Sequence, residues 1–195
     1  TGRHLALRAA GRRADPRTHR HASHQRHAVD IALVVLVLCI TAPVVQSLYA
    51  QQASCMVLTA AIWDDGSLRI DGYPLGVDQA EHDGHTYSDK APGQPVFGIP
   101  AYAVYRAVGG EPAKVFRPDG NLGLWAVSLW CSALPLAALA LMVRRVAARV
   151  VPEAATAVAL ATVLTTLLLP FASLLFGHVL GTALAFGGWM LATTD

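Results

Sequence analysis

Charge is scarce in this chain. Charged residues fill 14% of its 195 positions, against about 25% in an ordinary soluble domain. The deficit is uneven, because long apolar runs hold almost none. Hydrophobic residues make up 54% and mean hydropathy is +0.43. That pattern predicts an integral membrane protein. Cysteine is scarce too. Cys39 and Cys131 lie inside apolar runs and Cys55 just beyond the first. Three such residues make no disulfide framework and no zinc spacing, and they read as small buried hydrophobes. No internal repeat is present. No ionisable side chain sits in the middle of an apolar run, which argues against a transporter pathway.

Arginine is concentrated before the first apolar run and again at Arg144, Arg145 and Arg149. Residues 1–30 are rich in Arg and His, lack apolar periodicity, and are expected to form a disordered basic tail. His19, His21, His24 and His27 suit that solvated tail better than a metal tract. Residues 31–49 are the first expected transmembrane helix, with Pro43 kinking its outer half. A span needs about 20 apolar residues. Residues 50–121 form a long polar loop. Within it Gln52 to Trp63 reads as a helix ended by Asp64-Asp65-Gly66. Ser67 to Asp71 alternates like a short strand. Gln94 to Val108, apolar and aromatic, reads as a helix lying in the membrane interface. Residues 122–143 are the second span, 144–153 a cytoplasmic loop, 154–176 the third span and 179–192 a short fourth.

Placing the basic tail and the Arg cluster inside puts both Lys/Arg-rich segments on one side. The expectation is an all-α integral membrane protein: a multi-span helical bundle with a large external loop bearing interfacial helices. Its N-terminus would be cytoplasmic. The chain begins at Thr1 and stops at Asp195 directly after an apolar run, and reads as a piece of a longer protein.

The loop holds Asp64, Asp65, Asp71, Asp78, Glu81, Asp83, Asp89 and Glu111, with His82, His85 and Lys90. Most such acids are simply solvated. The run from Asp78 to His85 is denser than a loop needs and offers hard oxygen ligands to a divalent cation. It does not follow the twelve-residue calcium-loop pattern, and no metal ligand set is assigned. Lys90 stands apart, because it is the only lysine in the loop before Lys114. Asp89 precedes it, and Pro92-Gly93 follows, one residue fixing the chain and the other permitting close backbone approach. An ammonium at headgroup level suits a lipid phosphate. The plain alternative is a surface lysine paired loosely with Asp89. His178, at the turn between the last two apolar runs, can face the same cavity or cap a helix.

The stretch Asp83-Gly84-His85-Thr86-Tyr87-Ser88-Asp89-Lys90-Ala91-Pro92-Gly93, followed by Phe97-Gly98-Ile99-Pro100-Ala101-Tyr102, resembles bacterial membrane glycosyltransferases of the GT-C type. These are the family 39 and dolichyl-phosphate-mannose protein mannosyltransferase-like group, with the lipid A aminoarabinose transferase as a distant relative. The shared segment is Tyr-x-x-Lys-x-Pro. Leu167 to His178 also looks like a later span of this group. The resemblance implies a plasma-membrane transferase that moves a sugar from a polyprenyl-phosphate donor. The acceptor, a glycan, lipid or protein, would lie on the external face among membrane lipids. No nucleic acid is expected as a partner. Lys90, with Tyr87, would hold the donor phosphate, and an acid would serve as base. In the relatives an acidic pair follows the first span closely. Here that region reads Tyr49-Ala50-Gln51-Gln52-Ala53-Ser54, so Asp64, Asp65 and Asp71 are the acids available. Asp89, Asp83, His85 and His178 are further candidates. The rival expectation is a non-catalytic polytopic membrane protein that binds lipid or a partner subunit.

Overall fold

The computed structural model describes residues 16–44, 47, 49–73, 76, 78–113 and 121–193. The chain divides into two units, Thr1–Ala32 and Leu33–Asp195. Helix α1 (Pro16–Thr41) begins in the first, at a proline whose fixed φ and missing N–H suit an opening turn. Residues 16–30 are therefore helical, not disordered as expected. The apolar run downstream carries the nucleation cost, and Arg, Gln and Ala extend a helix readily once it exists. The first half of the expected tail lies outside the described residues. α1 also stops short of residue 49. Thr41 bonds back to the Val37 carbonyl at 2.8 Å, and Pro43 cannot continue the ladder.

The second unit has two hydrophobic cores. The first joins α2 (Ala50–Asp64), α3 (Gly93–Ala107) and α4 (Leu122–Ser128). α2 is buried continuously from Gln52 to Ala61, as suits a helix apolar on every side. Met56, Val57 and Ala60 meet Tyr102 of α3, Leu124 and Val127 of α4, and Ile70 and Tyr73 of the intervening loop. α3 lies close to α4 at Gly98, where a Cβ would stand 2.9 Å from Val127 Cγ1. Gly98→Ala should therefore cost about 1–3 kcal/mol through overpacking. A denaturation midpoint equal to wild type would refute that contact.

Between α2 and α3, strands β1 (Gln79–His82) and β2 (His85–Ser88) form an antiparallel hairpin. Gln79 pairs with Ser88 and His82 with His85. Its turn is Asp83-Gly84, with φ of 50° and 75°, the left-handed pair that Asp-Gly adopts in a type I′ turn. The acidic run read as loop is thus part of a hairpin. The strand expected over Ser67 to Asp71 is reduced to one bridge, Arg69 to Tyr87.

The second core lies among the later helices. α4 continues through a π-helical turn, Leu129–Ala133, into α5 (Leu134–Val150). Pro135 gives the turn a cause. It has no N–H for the Cys131 carbonyl, and its ring crowds that group. The rod outruns the expected second span, so Arg144, Arg145 and Arg149 ride on its last turns instead of forming a loop. Cations suit a helix C-terminus. The expected third span is broken into α6 (Ala155–Leu164) and α7 (Leu168–Ala172). At the break the hydroxyls of Thr165 and Thr166 each reach a carbonyl four residues back, both at 2.7 Å. Such back-bonding weakens a helix, and Pro170 removes another N–H. α8 (Gly177–Ala192) closes the bundle. Leu33 and Val37 pack with Leu136, Leu139, Ala140, Ala159, Val163 and Val179.

The fold is mostly helical. Among the described residues, two helical stretches are long and apolar enough to cross a membrane, His24–Thr41 and Leu122–Val150. α6 and α8 are apolar but shorter. Val35, Leu184, Trp189 and Leu191 are exposed, the kind of apolar surface that lipid or a partner covers.

Candidate functional site

Lys90 lies where the hairpin hands the chain to α3. Its Nζ is 3.1 Å from Asp78 Oδ2 and 3.2 Å from Asp89 Oδ1. The hydrogen bond to Asp78 first, and then the one to Asp89, holds the ammonium above the ordinary lysine range. The hairpin register explains the grouping. Gln79 opposes Ser88, so the next residues outward, Asp78 and Asp89, flank each other, and Asp89 N–H donates to the Asp78 carbonyl at 3.4 Å.

α2 braces this cluster. Ser54 Oγ donates to the Asp78 carbonyl at 2.7 Å and lies 2.7 Å from Ser88 Oγ. Ser88 Oγ in turn accepts the Lys90 N–H at 3.2 Å. Asp78 itself has φ +52°. A left-handed conformation outside glycine tends to persist where surrounding bonds enforce it, and such sites are often functional. Cys55, next on α2, is buried, and burial pushes its thiol up to about 11. It is no nucleophile at neutral pH. Its Sγ lies 4.0 Å from Gln94 Oε1 on α3.

The other expected acids sit elsewhere. Asp64 accepts the Tyr102 hydroxyl at 2.7 Å and pairs with Arg106 Nε at 3.2 Å. Ten residues of α2 separate it from Ser54, about 15 Å of helix. Asp65 accepts the Tyr73 hydroxyl at 3.0 Å. Asp71 anchors the hairpin, taking the Thr86 N–H and lying 2.9 Å from His85 Nδ1. These three acids are tied into the fold and do not gather at Lys90. Tyr87 alternates with Ser88 along β2 and so points to the opposite face. Asp83 is at the hairpin tip, beside His82 at 3.4 Å. His178 stacks on Phe171, with ring centroids 4.7 Å apart. The hairpin spreads the acidic run along both of its faces. Among the described residues no group of three or more His, Cys, Asp or Glu side chains gathers as a metal site.

The Thr86 N–H, and after it His85, hold the Asp71 carboxyl below its ordinary range. The sign follows from linkage. The anchor is fully present above about pH 4, the unfolded carboxylate value, and fades as pH falls through the lowered folded value. The Asp71 carboxyl-carbon resonance should therefore titrate with its midpoint below about 4. A midpoint above that value would contradict the anchor.

Below the Lys90 cluster runs an apolar groove of about 580 Å³. α3, the α4–α5 rod and α8 line it with Phe97, Trp130, Leu134, Ala138, Leu180 and Leu184. Trp130 Nε1 donates to the Phe97 carbonyl at 2.9 Å, and the two rings stack with centroids 5.9 Å apart. Phe97 is about one helical turn beyond Gln94 on α3, and Lys90 precedes the helix. Comparison with known protein families, with curated proteins and with solved structures found no match to this chain.

Proposed function

We propose that this protein is a membrane glycosyltransferase of the GT-C kind, acting on a sugar carried by a polyprenyl phosphate. The observation that carries the reading is a juxtaposition: an ammonium braced by two carboxylates at the head of α3, and an apolar groove along the helices below. A polyprenyl phosphate has the matching parts, a charged head and a long apolar chain. Lys90 would meet the phosphate and stabilise charge growing on it as the glycosidic bond breaks. The proton of the acceptor hydroxyl needs a carboxylate within hydrogen-bond reach of that hydroxyl as it attacks the sugar. Asp78 replaces Asp64, Asp65 and Asp71 in this role, because it alone combines contact with Lys90 and a left-handed backbone held by Ser54. The shorter apolar helices would complete a multi-span bundle in the plasma membrane, with the hairpin on the external face.

The test is release of polyprenyl phosphate from a sugar-loaded donor by the full chain in detergent. Asp78→Asn should lower turnover about 100-fold or more, while Asp64→Asn should keep it within a few-fold once folding is checked. The reverse order would return the base to Asp64. Donor binding without any turnover in wild type would favour the non-catalytic reading. The structural ties of Asp64, Asp65 and Asp71 favour that rival.

A further inference from the structure

The start of the chain has a charge pattern that sugar transfer does not use. Seven of the 15 Lys and Arg residues fall within the first 26 positions, against one acid, Asp15. All seven are arginine. α1 runs from Pro16 without a break into His24–Thr41, the stretch long and apolar enough to cross a membrane. The helix therefore fixes how far each charge stands from the apolar run. At about 1.5 Å per residue, Arg26 lies about 7 Å before Ile31, and position 20 about 16 Å. His24, Arg26 and His27 are exposed. The headgroup layer on each side of a bilayer is about 5–8 Å thick. With Ile31 at the edge of the hydrocarbon, Arg26 and His27 stand among the headgroups. Position 20 lies just outside, within the ~10 Å over which a charge is felt at about 0.1 M salt. Asp30, half-buried at the apolar edge, and Asp15 offset only two of the seven positive charges.

We infer that the arginine-rich start of α1 is a binding surface for anionic phospholipid headgroups. A guanidinium stays charged and grips a phosphate through two parallel N–H donors. Each one near an anionic leaflet strengthens the attraction about fivefold. A phosphodiester headgroup with net negative charge, of the phosphatidylglycerol class, meets Arg26 at the depth where the helix holds it. A zwitterionic headgroup carries its own ammonium and gains less. A membrane suits this surface better than a nucleic acid, because one continuous helix ties Arg26 to the apolar run and keeps it at the headgroup layer. The inference asks only that α1 enters a bilayer, and sugar transfer plays no part in it.

The test reconstitutes the full chain in phosphatidylcholine vesicles holding a minority of phosphatidylglycerol. Spin-labelled phosphatidylglycerol and phosphatidylcholine are compared by the fraction of each that the protein immobilises. Both leaflets have the same composition, so an inverted molecule meets the same lipids. Wild type should hold phosphatidylglycerol several-fold over phosphatidylcholine. Arg20→Gln combined with Arg26→Gln should cut that ratio about threefold or more, with an unchanged melting temperature, because neither position contributes to the two hydrophobic cores. Arg20→Lys with Arg26→Lys keeps the charges and should keep most of the ratio. Raising salt from about 0.1 M to about 1 M shortens screening to ~3 Å and should remove most of the preference. No preference in wild type, or an equal preference in the glutamine variant, overturns the inference. So does a preference that survives in the glutamine variant and is lost when Arg144, Arg145 and Arg149 are changed to Gln, since that places the lipid site at the end of α5. Capture of a single-stranded oligonucleotide by wild type in phosphatidylcholine alone, without any preference for phosphatidylglycerol, overturns it in favour of a nucleic-acid arm.

Discussion

Tyr102→Ala is expected to destabilise the fold by about 3–5 kcal/mol. The side chain is fully buried where α2, α3 and α4 meet. Its hydroxyl donates to Asp64 at 2.7 Å and accepts the Ala113 N–H at 3.2 Å. Truncation leaves a cavity and also strips one of the two partners from a carboxylate that is only 16% exposed. Tyr102→Phe separates the two effects, since it removes only the hydroxyl and should cost about 1–3 kcal/mol. Both are read from denaturant titration in detergent, followed by tryptophan fluorescence. A midpoint of Tyr102→Ala equal to wild type would mean that α2 and α3 share no core.

The largest functional loss is expected at Lys90. Lys90→Ala should cut sugar transfer about 100- to 1000-fold, the usual effect of removing one donor to developing charge. Most of the loss should fall on kcat, because charge on the leaving phosphate grows only as the bond breaks. Lys90→Arg keeps the charge but replaces a compact ammonium by a planar fork. It should recover only part of the rate, since the position between Asp78 and Asp89 is built for a point charge. Asp89→Asn removes one of the two carboxylates that compete with the donor, so KM should fall. Unchanged turnover in Lys90→Ala would exclude Lys90 from the transfer step. A fall in turnover with unchanged donor affinity would keep it.

Much of the helical layout was legible, because long apolar runs and proline positions speak directly to span and break. The helix over Gln52 to Trp63 and the one over Gln94 to Val108 were expected nearly where α2 and α3 lie. The site was less legible. Asp64 and Asp65 are the first acids after the opening apolar run, but Tyr102, Arg106 and Tyr73 that bind them come from far along the chain. Linear order cannot reveal such pairings. Asp78 was within reach. Asp-Gly is a strong hairpin signal, and a two-residue turn at Asp83-Gly84 sets Asp78 beside Asp89. Reading that stretch as a loop hid the partner of Lys90. Ser54 carried no signal, since it is not unusual in composition and acts through tertiary contact. The helical start of the expected tail was missed because propensity in an Arg- and His-rich segment is weak until an apolar helix lies next to it.

The π-turn at Leu129–Ala133 decides which residues of the long rod see which neighbour. Above it Leu124 and Val127 face the first core, as Cys131 does within it, and below it Leu136, Ala140 and Ala147 are buried. A straight α-helix of the same sequence would carry the first face on to Pro135, Ala138 and Met142, because each residue turns the helix by about 100°. Those three line the groove instead. The widened turn acts as a one-residue phase correction. An insertion or deletion anywhere else in Leu122–Val150 would have no such slack to absorb it, and would exchange the groove wall with the core wall.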